Sequence, residues 1–318
     1  MLSRRDFTLC AGATLLCTTV ERARAAGTVN VLYAGSLATI MERTIFPLAV
    51  SRGLDVRGEG KGSVALANMI RGGLRSPDVF ISADSAVIDS LMGSAHGNLV
   101  SWYAIFATTR LVVGYSPVSP FAQRFIDVTG SRRALVDVLS QPGLRLGRTD
   151  PALDPKGYRT IIAARLLETV ANRPGFAAQL LGDDRNPNQI LPEETLLARL
   201  EGGELDAAFL YATESVARGV PAVELPRAAN LGDSAQATTY ATISVTIDGK
   251  KHVGAPAAYA LTIPSAAPNR DAAAEFIAFL LSGAGRATLT RGGMTVLARV
   301  TLNGDRAAVP ASLRSVLE

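Results

Sequence analysis

The 318-residue chain carries 32 Lys and Arg against 28 Asp and Glu, is 48% hydrophobic and holds two cysteines, Cys10 and Cys17. No block of basic residues stands behind its net positive charge, so neither nucleic acid nor a membrane surface is supported as a partner. Both cysteines lie within the first 25 residues, so a chain processed near Ala25 has none, which excludes disulfides, thiolate metal ligands and a cysteine nucleophile.

Those first residues read as a leader. Ser3-Arg4-Arg5-Asp6-Phe7 is a twin-arginine pattern, Thr8 to Val20 is uncharged and largely apolar, and Ala23-Arg24-Ala25 offers a small-x-small cleavage site. The apolar stretch is too short for a stable span. The expectation is a soluble periplasmic protein, exported by the twin-arginine route, with a signal at 1–25 cleaved near Ala25. Without Arg4, Arg5, Arg22, Arg24, Asp6 and Glu21, the 32 basic and 28 acidic residues fall to 28 and 26, a net of +2. Residues 26–318 suffice for two domains of ordinary size or one large one.

An apolar strand, Val29 to Tyr33, leads through Gly35 to Ser36 at the start of a helix, where unpaired backbone N–H groups can hold an anion. Leu54 to Arg57 is predicted as a strand, Gly62 to Arg71 as a helix, Val79 to Ser82 as a strand and Ser85 to Met92 as a helix. This alternation predicts a mostly parallel α/β sheet, in which ligands bind off the carboxyl ends of the strands. Gly60-Lys61-Gly62-Ser63 and Ile81-Ser82-Ala83-Asp84 are two further small-residue turns at such ends. Small residues let backbone amides approach a ligand and hydroxyls add donors without charge, although the same residues also build ordinary tight turns.

Leu111 to Tyr115 reads as a strand leaving the first lobe, and Arg132 to Leu139 as a helix. The Pro-, Gly- and Asp-rich run from Asp150 to Arg159 reads as neither helix nor central strand, launching an apolar helix from Thr160 to Val170. Within it, Asp154 is either a turn-forming or N-capping residue or a functional carboxylate. Pro192-Glu193-Glu194-Thr195 opens a further helix with an acidic first turn that suits the helix dipole. Ala207 to Tyr211 is a buried strand whose last residue lies over the crevice or in the core, and Thr213 and Ser215 begin the next helix. Beyond Leu225, Tyr240 to Ile247 alternates as a strand, Gly249-Lys250-Lys251-His252 reads as a solvated hairpin tip, and Ala257 to Thr262 is another strand. Asp271 to Leu281 is a helix burying Phe276, Phe279 and Leu280. The end of the chain is expected to return to the first lobe and complete its sheet. Two lobes, 26–110 with 255–318 and then 111–254, joined by two crossing segments, enclose a cleft suited to hinge closure.

Across these residues the chain resembles the molybdate/tungstate-binding proteins of ABC importers, most closely their tungstate-preferring branch. The resemblance runs through Ala34-Gly35-Ser36-Leu37, Gly62-Ser63, Asp78 to Asp84, Phe106 to Leu111, Asp154-Pro155-Lys156-Gly157-Tyr158-Arg159, Gly203 to Asp206, Asn230 to Asp233 and Ala267 to Arg270. It implies a two-lobed periplasmic binding protein fold of type II, no catalysis and no cofactor, a small oxyanion as ligand, and a membrane ABC permease as the partner of a monomer. It further implies that Ser36 and Ser63 grip the oxyanion from the first lobe beside the turn at Ala83, with Asp154, the region of Lys156, and Tyr211 contributed by the second. Lys156 stands where relatives of this branch often carry a small residue.

A glutamate at the helix start before Tyr211 completes the implied set. Counting back from Tyr211 without a gap gives Glu193, whereas matching the Pro-x-Glu-Thr pattern gives Glu194; the ungapped count is preferred, because a one-residue gap rotates the buried face of a helix. Asp154 and Glu193 are then candidate direct ligands of molybdenum or tungsten, which expand from four to six oxygens as sulfur and phosphorus cannot. Without that bond, a carboxylate about 4 Å from a unit charge of the same sign is repelled by roughly 4 kcal/mol at a surface-like dielectric, so the pair filters against sulfate and phosphate if it lines the cleft. If it faces away, the site is a neutral cage of hydroxyls and amides that selects mainly by size. The rivals are another oxyanion, such as sulfate or phosphonate, on the same fold, and an exported cofactor-dependent enzyme. Against the enzyme stand a processed chain with only His96 and His252 and no Gly-x-Gly-x-x-Gly fingerprint opening a helix.

Overall fold

The computed structural model describes residues 27–128 and 131–317, so the twin-arginine leader expected at 1–25 and its cleavage site at Ala25 lie outside the described residues. β1 (Val29–Ala34) is apolar and buried almost throughout, as a central strand must be. It pairs in parallel with β2 (Val56–Lys61) on one side and β3 (Val79–Ser82) on the other. After β4 (Trp102–Thr108) the chain crosses through Thr109 and Arg110 to a second sheet. That sheet contains β5 (Leu111–Tyr115), β6 (Leu146–Thr149), β7 (Ile190–Leu191), β8 (Ala207–Tyr211) and β9 (Ala222–Glu224), in the order β7-β6-β8-β5-β9. A hairpin of β10 (Ser244–Ile247) and β11 (Lys250–Val253) follows. The chain then crosses back to β12 (Ala258–Thr262) and, through two helices, to β13 (Thr295–Gly304), which complete the first sheet as β13-β4-β12-β3-β1-β2.

The fold is thus α/β and two-lobed, and each sheet is mixed. β1 to β4 run in one direction, with β12 antiparallel between β3 and β4 and β13 antiparallel at the edge. In the second sheet β5 alone opposes its neighbours. β5 and β12 are the strands by which the chain enters each lobe from the other, and a short crossing reverses direction where a helical crossover preserves it. The two crossings lie side by side, the Thr109 N–H donating to the Ala257 carbonyl at 3.0 Å.

Several elements differ from the sequence expectations. The helix expected from Thr160 starts at Pro155 and runs to Ala171, taking in half of the Pro-Gly-Asp run. Proline at the first helical position loses only an N–H that has no helical partner there, and Asp154 caps the turn by accepting the Lys156 N–H at 2.9 Å. β2 extends to Lys61 through two glycines because the rings of Tyr33 and Phe46 lie over Gly58, where a Cβ would stand 2.5 Å from both. The strand expected from Tyr240 begins at Ser244, after a short helix from Ala237 to Tyr240. His252 is not at a solvated tip: the turn is Asp248-Gly249, both at positive φ, and His252 sits half-buried in β11, stacked on Tyr158 with ring centroids 3.9 Å apart.

Candidate functional site

The carboxyl ends of β1, β2 and β3 face helix starts of the second lobe. Ser36 lies in the tight turn Gly35–Leu37 after β1, and Ser63 opens the helix Ser63–Arg71 after β2; both are buried. Ala83 follows β3 and precedes the helix Ser85–Asp89, whose N-cap is Asp84. From the second lobe come Asp154 at the head of Pro155–Ala171, Glu193 in the first turn of Glu193–Glu201, and Tyr211, which ends β8 and precedes the helix Ala212–Arg218.

The two sets are in contact. The Glu193 carboxyl packs on Gly35 so closely that a Cβ there would stand 2.5 Å from Oε2, and one on Gly62 would stand 2.5 Å from the Leu153 carbonyl oxygen. The Ala65 N–H donates to that carbonyl at 3.1 Å. Only residues without a side chain allow this approach, which gives the two glycines preceding Ser36 and Ser63 a physical role.

Each serine is oriented by one partner. Ser36 Oγ and the Tyr259 hydroxyl share a hydrogen bond of 3.0 Å, and that hydroxyl is also 3.2 Å from Thr213 Oγ1 of the second lobe. Ser63 Oγ accepts the Ala83 N–H at 3.0 Å, so its own proton remains free to donate. The Tyr211 hydroxyl accepts from Arg159 Nη1 at 2.8 Å and likewise keeps a proton to give.

The carboxylates are each satisfied on one side only. Asp154 Oδ1 caps its helix and Glu193 Oε1 accepts from Lys156 Nζ at 3.2 Å, while Asp154 Oδ2 and Glu193 Oε2 are buried and meet no protein donor. An unpaired buried oxygen of this kind costs about 1–3 kcal/mol or more, so two in one place call for an explanation.

Lys156 is fully buried between Glu193 and Glu214, with Nζ 2.6 Å from Glu214 Oε1 and 5.7 Å from the centre of the Tyr211 ring. The other Glu214 oxygen accepts the Tyr211 N–H at 2.7 Å. Burial pulls the ammonium pKa down, but Glu214, Glu193 and Asp154 more than reverse it and hold the value above the usual lysine range. One ammonium faces three buried carboxylates, and Glu193 is the one disfavoured as an anion: burial first, then Asp154, push its pKa well above the ordinary glutamate value against the pull of Lys156.

Three of the expected contacts are placed differently. Glu194 points outward, its side chain 40% exposed and 3.3 Å from Lys61, because the residue after Pro192 turns back onto Gly35 and the next one rotates away. The Ala83 amide is spent on Ser63 and its carbonyl on Arg159, so Ala83 orients Ser63 and offers no free group. Lys156 reaches neither solvent nor the open carboxylate oxygens, since its N–H serves Asp154 and its Nζ the two glutamates. Sequence reasoning missed Glu214, Thr213, Tyr259, Asp84 and the role of Arg159. Glu214 carried a local signal, a carboxylate three residues after a strand end, where it returns to the Tyr211 N–H as in a capping box. Tyr259 lies within an apolar strand and reads as core.

Comparison with known proteins places the chain. The family described as bacterial extracellular solute-binding protein matches residues 29–295. A protein of Haloferax volcanii, named as a candidate ABC transporter molybdenum-binding protein, is 39% identical over 252 residues, 79% of this chain and 77% of its own. The molybdate/tungstate-binding protein WtpA of Pyrococcus abyssi is 27% identical over 282 residues, 82% of this chain and 79% of its own. Among solved structures, the periplasmic molybdate-binding protein of Azotobacter vinelandii covers 85% of this chain and 99% of its own, with a TM-score of 0.58 at 16% identity. The sulfate-binding protein SubI of Mycobacterium tuberculosis covers 92% and 91%, with a TM-score of 0.52 at 15% identity, so the fold by itself does not choose an anion. The chain belongs to the family of bacterial extracellular solute-binding proteins.

Proposed function

We propose that the protein captures molybdate or tungstate between its lobes and delivers it to the permease of an ABC transporter. The observation that carries this reading is the pair of buried carboxylate oxygens without protein donors, Asp154 Oδ2 and Glu193 Oε2, facing a site that also holds Ser36, Ser63 and Tyr211. Beside ionised Asp154 and Glu193, a dianion held only by hydrogen bonds is disfavoured. Carboxylates that bond directly to the metal turn that repulsion into coordination, which molybdenum and tungsten permit and sulfur and phosphorus do not. Asp154 and Glu193 are the proposed metal ligands, and Ser36, Ser63 and Tyr211 the donors to the oxo groups. Relatives named for molybdate, tungstate or molybdenum binding support the choice of ligand.

The proposed division is a first lobe of 26–110 with 255–318 and a second of 111–254, a reading that the membership of the two sheets supports. The same reading takes the protein as a monomer that neither catalyses a reaction nor binds nucleic acid, exported to the periplasm by the twin-arginine route.

Calorimetric titration of the protein with molybdate, tungstate, sulfate and phosphate tests the proposal. Tight binding of the first two with silence for the others is expected. Binding of sulfate or phosphate at comparable affinity contradicts the carboxylate filter, and silence for all four contradicts the choice of ligand.

A further inference from the structure

A buried arginine beside an anion site is ordinarily taken for the anion's ligand. Arg159 is 4% exposed and lies on the first turns of Pro155–Ala171, yet both of its terminal nitrogens already contact protein oxygens. Nη1 donates to the Ala83 carbonyl at 2.5 Å and to the Tyr211 hydroxyl at 2.8 Å, and Nη2 pairs with Asp84 Oδ2 at 2.9 Å. The preceding residue adds a second bond to the same oxygen, the Tyr158 hydroxyl donating to Asp84 Oδ2 at 2.7 Å. Asp84 Oδ1 meanwhile caps its own helix through the Ala86 N–H at 2.9 Å. One first-lobe carboxylate is therefore gripped by two consecutive second-lobe residues, and its charge neutralises the guanidinium.

We propose that Arg159 is a positioning residue, a latch on Asp84 that couples lobe closure to the grip of Ser63 and Tyr211 on the oxyanion. The guanidinium touches both walls of the site. On one side it holds Ala83, whose N–H orients Ser63; on the other it holds the Tyr211 hydroxyl. Opening the lobes strips it of Asp84 and Ala83 together, leaving a charge on each side unpaired, a penalty that an exposed pair such as Lys61 and Glu194 does not impose. A parallel link ties the other serine to closure, from Ser36 through Tyr259 to Thr213 of the second lobe. Breaking the latch should act on release, because association begins from the open form in which it is not made.

This inference rests on the cleft being the oxyanion site, and the test separates the two. Asp84→Asn keeps a competent helix cap while losing the charge, and Tyr158→Phe removes one donor only. Rates of molybdate association and release are measured for both variants and the wild type, together with the small-angle scattering radius of each protein with and without molybdate. In Asp84→Asn, release at least tenfold faster, association changed less than twofold and, with molybdate bound, a larger radius than the wild type are expected, with Tyr158→Phe intermediate. Unchanged release, or a loss confined to association, overturns the latch while leaving the ligand assignment standing. If the wild type binds neither molybdate nor tungstate, the ligand assignment falls, and the latch falls with it, since there is then no oxyanion whose release it could slow.

Discussion

Glu193 gives one carboxylate oxygen to the buried Lys156 ammonium at 3.2 Å and turns the other toward no donor at all. This half-satisfied pair sets the electrostatics of the cleft. Lys156 holds Glu193 with a single oxygen free, and because it also bridges to Glu214 it ties together the starts of three helices.

Lys156→Met should therefore be severe. Removing one partner of a buried ion pair costs about 3–5 kcal/mol, whereas removing both is often close to neutral. The expected outcome in urea unfolding of the ligand-free protein is a loss of that size in Lys156→Met and recovery of most of it in Lys156→Met with Glu214→Gln. A single variant as stable as wild type would show that the ammonium does not pair with the glutamates in solution.

The pH dependence has a defined sign. Glu193 binds its proton more tightly in the folded than in the unfolded chain, so its contribution to stability is fully present below the ordinary glutamate value of about 4.5 and is lost as pH rises through the folded value. Glu214, raised chiefly by burial, acts in the same direction. Glu193→Gln, which has no proton to lose, should raise the thermal midpoint of the ligand-free protein, with a gain that grows as pH rises above the ordinary glutamate value. A gain that instead grows toward acid pH contradicts the assignment.

Serine and glutamate substitutions separate the cleft from its rim. Ser36→Ala and Ser63→Ala should each weaken molybdate binding by about 1.5–3 kcal/mol, the range for hydrogen bonds to a charged group. Glu194→Gln removes only an exposed pair with Lys61 and should change affinity by less than about 1 kcal/mol. Calorimetry on the three variants checks the set, and a Glu194 effect as large as that of either serine would move the site outward.

Much of the fold was legible because β1, β2 and β3 each end in small residues before a helix, a pattern written locally in the chain. The return of the chain end to the first sheet was expected, but the edge strand β13 itself was not legible, since Thr295–Gly304 is only half buried and lacks a clear alternation. β4 was missed as well, being an almost uniformly buried stretch without a period to read. The start of the Asp154-capped helix was hidden by a proline that breaks helices everywhere but at their first turn. In the candidate site, Ser36, Ser63, Asp154 and Tyr211 stand at strand and helix ends that the sequence marks. The choice between Glu193 and Glu194 turns on how Pro192 aims the first turn, and the grip of Arg159 on Asp84 joins residues 75 positions apart across two lobes. Neither leaves a trace in local pattern.

The central claim, that carboxylates bond directly to the metal, is tested most directly by X-ray absorption at the molybdenum or tungsten edge of the loaded protein. The account predicts six oxygen neighbours in two distance shells for the wild type, with the longer shell reduced in Glu193→Gln. A spectrum showing only the four equivalent short bonds of the free oxyanion would contradict it.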